Sequence, residues 1–170
     1  MSQLWRDNKI VPVTVIKAEP NTVSLVRTSE KNGYEAIQLQ AGKRKREFRT
    51  REMVELGKQI DVTTFKEGDL VKIVGTSKGR GFQGVVKRYG FGGGPKTHGQ
   101  KNRMRAPGSI GSTAPQRVVP GRRMAGRMGG ERVTVKNLKI VGVDVEKNLL
   151  MLRGAVPGAT NGIILLQTDK

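Results

Sequence analysis

The sequence predicts a mainly β fold, a small barrel or sandwich body carrying a long irregular extension rich in glycine and basic residues. Three observations predict it. Short β-branched runs separated by turn residues recur toward both ends of the chain. Fifteen of the 23 glycines lie between Gly75 and Gly130. From Leu70 to Gly130 there is no acidic residue, while Lys and Arg supply +13.

The strands are expected in order from the N-terminus. Ile10 to Ile16, Thr22 to Thr28 and Tyr34 to Gln40 are short, rich in β-branched residues and partly alternating, with turn residues at Pro20-Asn21 and Asn32-Gly33 between them. The same texture returns at Leu70 to Val74, Arg132 to Val135, Leu138 to Val145, Asn148 to Leu152 and Gly162 to Gln167. Many short strands at close spacing suit a small barrel or sandwich. Glu47 to Leu56 reads either as one short helix or, through Glu47-Phe48-Arg49, as the entry to a strand. From Tyr89 to Gly130 almost no strand or amphipathic-helix pattern is present. The expected organisation is therefore residues 1–88 as the first part of the body, 89–130 as an extended basic arm, and 131–170 as the second part of the body.

Charge narrows the function. Lys and Arg number 32 against 14 Asp and Glu, a formal net charge of +18 on 170 residues. A surplus of that size seeks a polyanion. An anionic membrane is the weaker candidate, because no apolar run approaches the roughly 18 residues of a span and no long basic amphipathic helix is visible. Met1 to Asn8 lacks the apolar stretch of a secretory signal. The absence of Cys leaves no disulfide, thiolate metal site or Cys nucleophile, and suits a reducing cytoplasm.

The segment 89–130 cannot bury enough apolar surface to offset its chain entropy and needs a partner to become ordered. A disordered linker is the bland alternative. The irregular Arg spacing and the single apolar residues Phe91, Met104, Ile110, Met124 and Met128 favour an arm ordered against folded RNA. Glycine there lets the backbone approach phosphate and sugar closely. The candidate RNA-binding residues are Lys78, Arg80, Lys87, Arg88, Lys96, His98, Lys101, Arg103, Arg105, Arg117, Arg122, Arg123, Arg127 and Arg132. Any one is readable as a solvated surface charge, but thirteen cations with no acid between them repel one another unless phosphate neutralises them. The predominance of Arg from Arg103 onward suits bidentate phosphate contacts and stacking on bases. Phe82, Tyr89 and Phe91 are candidates for base stacking, with packing against the body at least as good a reading for Phe82.

Enzymatic readings fail on context. Gly79-Arg-Gly-Phe-Gln-Gly84 matches a dinucleotide fingerprint in form, but a basic, aromatic, Gly-rich run follows it where an apolar helix should, and no acid stands some 20 positions on. Gly75-Thr-Ser-Lys-Gly79 lacks the ending of a P-loop. The single His98 has no carboxylate near it in sequence, and a lone His makes no metal site. It reads equally as a turn residue or an RNA contact. No catalytic residue, cofactor or metal is expected.

Several motifs resemble one family. Gly75-Thr-Ser-Lys-Gly-Arg-Gly-Phe-Gln-Gly84, Lys87-Arg-Tyr-Gly-Phe-Gly-Gly-Gly-Pro95 with Thr97-His-Gly99, Arg105-Ala-Pro-Gly-Ser-Ile-Gly111 and the run from Gly121 to Thr134 resemble the bacterial L-three family of large-subunit ribosomal proteins. Val11 to Ile16 and Gly154 to Gly158 match near the ends, so the resemblance covers most of the chain in the family's order. It implies a β-barrel body of the translation-protein type (SH3-like or elongation-factor-like) bound to 23S-type rRNA. It also implies an early role in subunit assembly, and L-fourteen and L-nineteen type neighbours in a cytoplasmic ribosome. The arm tip, Ser109, Ile110, Gly111, Ser112, Thr113, Ala114, Pro115, Gln116 and Arg117, would lie near the peptidyl transferase centre.

The sequence departs from that family in four places. It starts some ten residues inside the usual start, which leaves the first strand missing or replaced. About 30 residues, partly helical, are absent between Gln40 and Phe48. Met104 stands where His is common, and Ala114 stands where some members carry a methylated Gln. The reading from another class is a free nucleic-acid-binding regulator or chaperone with an SH3-like barrel.

Overall fold

The computed structural model describes residues 1–6, 8–50 and 54–168. In chain order the elements are β1 (Ser2–Arg6), β2 (Lys9–Lys17), β3 (Asn21–Arg27), the helical turn α1 (Ser29–Asn32), β4 (Ala36–Ala41), β5 (Arg44–Arg49), β6 (Gln59–Ile60), a 3-10 turn (Val62–Thr64), β7 (Leu70–Thr76), β8 (Phe82–Gln83), α2 (Val85–Tyr89), β9 (Gly126–Arg127), β10 (Arg132–Asp144), β11 (Leu149–Arg153) and β12 (Ile164–Thr168). The fold is mainly β, as the sequence predicts. Its strands form a six-stranded sheet in the order β1-β2-β11-β10-β7-β12, a four-stranded sheet β5-β4-β3-β6 and the pair β8-β9. Among the described residues neither large sheet closes into a barrel.

The chain divides into two compact units. The first comprises residues 1–73, 135–156 and 165–170, and the second residues 74–134 and 157–164. Nearly all of the buried apolar core belongs to the first. Along β7, Val71 and Ile73 are buried while Leu70 is exposed, the period-two pattern of a strand with one covered face. Leu150 and Leu152 of β11 repeat it, and Val13, Val23, Ala36, Ile37, Val62, Ile140 and Val141 are buried with them. In the second unit only Val74, Val85 and Gly75 are buried.

Local chemistry explains where the strands differ from expectation. Arg132 to Val145, expected as two strands, runs as one strand β10 to Asp144. Asn137 sits inside it at φ +60, a conformation Asn tolerates, and the register slips between Ile140 and Gly142. A second bulge falls between Val23 and Leu25, where the Ser24 hydroxyl donates to the Gln38 side-chain oxygen at 2.9 Å. The short-helix reading of Glu47 to Leu56 is not realised among its described residues. Glu47, Phe48 and Arg49 extend β5, and residues 51–53 lie outside the described ones. Pairing with β4, from Ala36↔Arg49 to Ala41↔Arg44, outweighs the helical propensity of a Lys/Arg/Glu run. At the N-terminus, β1 pairs antiparallel with β2 from Ser2↔Val13 to Arg6↔Lys9.

The hairpin of β4 and β5 turns on Gly42-Lys43, with Gly42 at φ +58 in the first central position, where a Cβ would be strained. Its base is tied by Glu47. Arg27 donates through Nε and Nη2 to Glu47 Oε1 at 3.0 and 2.8 Å, and the Tyr34 hydroxyl donates to Oε2 at 3.1 Å. The guanidinium groups of Arg27 and Arg49 lie 5.8 and 5.7 Å from the Tyr34 ring centroid. Hydrogen bonding from Arg27 holds the Glu47 carboxyl below its ordinary value, and the same bond raises Arg27. The carboxylate is the lowered group, so the pair's stabilisation is present above the unfolded carboxylate value and is lost as pH falls through the folded one.

The core assignment makes a direct prediction. Leu152→Ala or Ile140→Ala, each removing a fully buried side chain, should lower the unfolding free energy by about 2–5 kcal/mol. Trp5→Ala, at a side chain 75% exposed and paired across the ladder with Ile10, should cost under about 1 kcal/mol. Equilibrium urea unfolding checks both.

Candidate nucleic-acid interface

The second unit is held by backbone pairing where a core would otherwise be. Its incoming and outgoing segments zip together: Ser77 N–H donates to Glu131 O at 2.9 Å and Gly130 N–H to Ser77 O at 3.1 Å. Arg80 N–H donates to Met128 O at 2.8 Å, and Met128 N–H to Gly81 O at 3.0 Å. β8 and β9 extend this ladder through Phe82↔Arg127 and Gln83↔Gly126. One glycine permits so close an approach, and a second makes room for a side chain beside it. Gly129 is at φ +77, and a Cβ there would collide with the Lys78 carbonyl. A Cβ on Gly126 would lie 2.6 Å from Arg88 Nη1. Arg88 donates from that nitrogen to Met124 O at 2.8 Å, fastening α2 to the outgoing limb.

α2 follows the glycine-rich motif as one basic turn, capped by Gly84 and by Gly90 in the left-handed conformation. A five-residue helix carrying Lys87 and Arg88 in its last turn offers no dinucleotide-binding N-terminus of the Rossmann kind. Beyond it, Gly94 N–H donates to Met104 O at 2.9 Å, which closes a loop containing Lys96, His98, Lys101 and Arg103. Farther out, an Arg122 guanidinium nitrogen donates to Ser109 O, and the Ser109 hydroxyl donates to Gly111 O at 3.0 Å. Every residue from 107 to 125 is exposed, which includes the whole candidate tip Ser109 to Arg117.

Of the fourteen candidate RNA-binding residues all but Arg88 are exposed, and Arg88 is half-buried. The structure gathers some of them. Lys78, Arg80 and Arg88 line an open cavity of about 540 Å³ with Tyr89, Ser77, Glu131, Met128, Gly129 and Gly158. The guanidinium groups of Arg88 and Arg123 stand 5.0 and 5.6 Å from the Tyr89 ring centroid, and Phe91 is 6.2 Å from it. Cations over an aromatic ring gather positive charge in one place without a carboxylate. Phe82, for which packing against the body is at least as good a reading as base stacking, is 78% exposed. Its strand is only two residues long and covers no core. Ser77 and Glu131 were not singled out from the sequence. Glu131 lies one residue past the acid-free segment and is visible as part of this site only through its pairing with Ser77. Among the described residues no group of three His, Cys, Asp or Glu is placed to hold a metal. No helix among them is long and apolar enough to cross a membrane.

Comparison with known proteins fits this arrangement. Residues 8–147 match the family Ribosomal protein L3. The large ribosomal subunit protein uL3 of Dehalococcoides mccartyi is 48% identical over 190 positions, covering 98% of this chain and 93% of that protein. The uL3 proteins of Herpetosiphon aurantiacus and Chloroherpeton thalassium are each 45% identical, over 192 and 198 positions, covering 98% and 100% of this chain and 91% and 95% of theirs. These alignments are longer than the 170 residues of the chain, so the relatives carry residues that it lacks. With identity at this level spread over nearly its whole length, the chain belongs to the ribosomal protein L3 family.

Proposed function

We propose that the protein is a structural constituent of the large ribosomal subunit, bound to 23S-type rRNA in a cytoplasmic ribosome and supporting early subunit assembly. The observation that carries this is an acid-free segment in a family of large-subunit proteins, with every residue from 107 to 125 exposed and no buried apolar side chain from 89 to 130. Such a segment presents donors and positive charge to a polyanion. Most contacts to a folded RNA go to phosphate and sugar, which suits Arg and glycine-rich backbone over a shaped pocket.

In this reading residues 1–88 and 131–170 supply a body of the translation-protein barrel type, and residues 89–130 form the arm. Lys78, Arg80, Lys87, Arg88, Lys96, His98, Lys101, Arg103, Arg105, Arg117, Arg122, Arg123, Arg127 and Arg132 contact RNA. The tip, Ser109 to Arg117, reaches toward the peptidyl transferase centre. L-fourteen and L-nineteen type proteins are the neighbours. Neither catalysis nor a small-molecule substrate belongs to the role.

Sedimentation of a cell lysate through sucrose tests the central point. The protein should co-migrate with large subunits after a moderate salt wash, and its confinement to the top of the gradient would reject the reading. Binding to large-subunit RNA should be steeply salt-dependent. With about half of the thirteen charges between Leu70 and Gly130 on phosphate, these contacts alone should give a log–log slope on the order of −4 to −6. Filter binding across a salt series measures it, and a slope near zero would remove the electrostatic argument.

The division of the chain has its own test. Replacing residues 89–130 with a short Gly linker should preserve a cooperative melt, because none of the buried apolar residues lies in that range. Loss of all cooperative structure would show that the arm belongs to the core.

The two ends of the arm should also separate. Arg117→Ala should leave incorporation into subunits intact while changing chemical reactivity of the RNA near the peptidyl transferase centre. Arg122→Glu combined with Arg123→Glu should impair incorporation, since it sets carboxylates against phosphate and breaks the Arg122 bond to Ser109. Changes confined to the outer surface for Arg117→Ala would exclude an inward-reaching tip.

A further inference from the structure

The first unit carries a second concentration of positive charge. At the end of the β4–β5 hairpin, Lys43, Arg44, Lys45 and Arg46 follow one another, and all four are exposed. Among the described residues the side chains of Lys43, Arg44 and Lys45 have no hydrogen-bond or ion-pair partner. Arg46 reaches only the Lys45 carbonyl, at 2.9 Å. The one acid on the hairpin, Glu47, is taken up by Arg27 and Tyr34, and β3 and β4 contain none. Among the described residues, β3, β4 and β5 therefore offer the tip no free counter-charge.

An exposed edge strand gains from a charged residue or two, which discourage pairing with another sheet. Four in succession at a tight turn exceed that need, and their mutual repulsion is unfavourable without an anion beside them. Successive side chains of a strand point to opposite faces, so Arg44 and Arg46 occupy one face of β5 and Lys45 the other. Past the Thr22↔Gln40 pair with β3 only the turn end of the hairpin projects, and this tip, with cations on both faces and at its turn, complements a cleft with phosphates on both walls, as folded RNA offers. A flat surface of one sign would engage one face only.

We propose that the β4–β5 hairpin is a second RNA-binding element, inserted between phosphate backbones of the large-subunit RNA and acting independently of residues 89–130. This rests on the rRNA-binding role proposed above. The tip is anchored for the purpose. The Arg27–Glu47–Tyr34 cluster and the six-pair register of β4 with β5 fix the ribbon at its base, so binding orders only side chains.

The test uses the full chain and a transcript of the complete large-subunit RNA. Lys43→Gln, Arg44→Gln, Lys45→Gln and Arg46→Gln combined should leave the thermal melt unchanged, since all four side chains are exposed. The salt slope should become less steep by about 3, and affinity at about 0.1 M salt should fall on the order of 10- to 100-fold, given a slope of roughly −0.9 per phosphate contact. Hydroxyl-radical footprinting should lose a patch of protection different from the patch lost with Arg122→Glu and Arg123→Glu. An unchanged slope and footprint for the hairpin variant, with binding by the arm variant still reduced, would overturn the hairpin proposal and leave the rRNA-binding role standing. An unchanged slope with lost incorporation into subunits would assign the tip to a neighbouring protein and overturn it too. Failure of the unaltered protein to bind the transcript would remove both readings.

Discussion

The ladder that joins residues 77–83 to residues 126–131 is the constraint on which the second unit depends. With Val74 and Val85 as its only buried apolar side chains, that unit has almost no hydrophobic effect to draw on. Main-chain hydrogen bonds take its place, and they work only because the two backbones come very close. Gly129 makes this possible by leaving room for the Lys78 carbonyl, while Gly126 leaves room beside the ladder for the Arg88 guanidinium. Arg88 is thus both a charge and a brace. Its bond to Met124 O and its place beside Tyr89 tie α2, the outgoing limb and the aromatic cluster into one local arrangement.

Electrostatics explains why this arrangement ends where it does. Thirteen cations without an acid raise the energy of any compact form, and beyond Gly94 the hydrogen bonds that span more than a local turn become sparse: Gly94 N–H to Met104 O, then the Arg122 side chain to Ser109 O. Distributing charge along an extended arm lowers the repulsion, and bringing polyanion to it removes the rest. Glycine and arginine are a consistent pair for that task. Glycine lets the main chain come near a phosphate, and the guanidinium fork bonds the phosphate in two places.

Much of this was legible in the sequence, and the exceptions share a cause. β2, β3, β7 and β11 fall within a residue or two of the β-branched runs that signalled them, because burying one face of a strand demands that composition. β6, β8 and β9 are two residues long and exist through their partners, so no local pattern announces them. β5 is hidden by its own charges. Lys, Arg and Glu suit a helix, and only the two-residue turn at Gly42-Lys43 and pairing with β4 make it a strand. β10 was expected as two strands with a break over 136–137, whereas one strand passes through Asn137 in a left-handed conformation. For the candidate interface, charge layout identified the segment, but which cations meet is a matter of pairing. Lys78 and Arg80 share a cavity with Glu131, some 50 positions away in sequence, because of the ladder.

The distribution of carboxylates ties the two basic regions together. In the hairpin a single acid, Glu47, is spent on Arg27 and Tyr34, inside the protein's own fold. In the second unit a single acid, Glu131, lines the cavity with Lys78, Arg80 and Arg88, yet among the described residues it forms no ion pair within 4.0 Å. A carboxylate that binds no neighbouring cation neutralises little of their charge, but it repels a phosphate brought to the same place. Glu131 is bonded through its backbone to Ser77, so the ladder fixes the place of its main chain beside Lys78 and Arg80. Backbone geometry in this unit thus decides both how close the limbs come and which charged residues line one cavity.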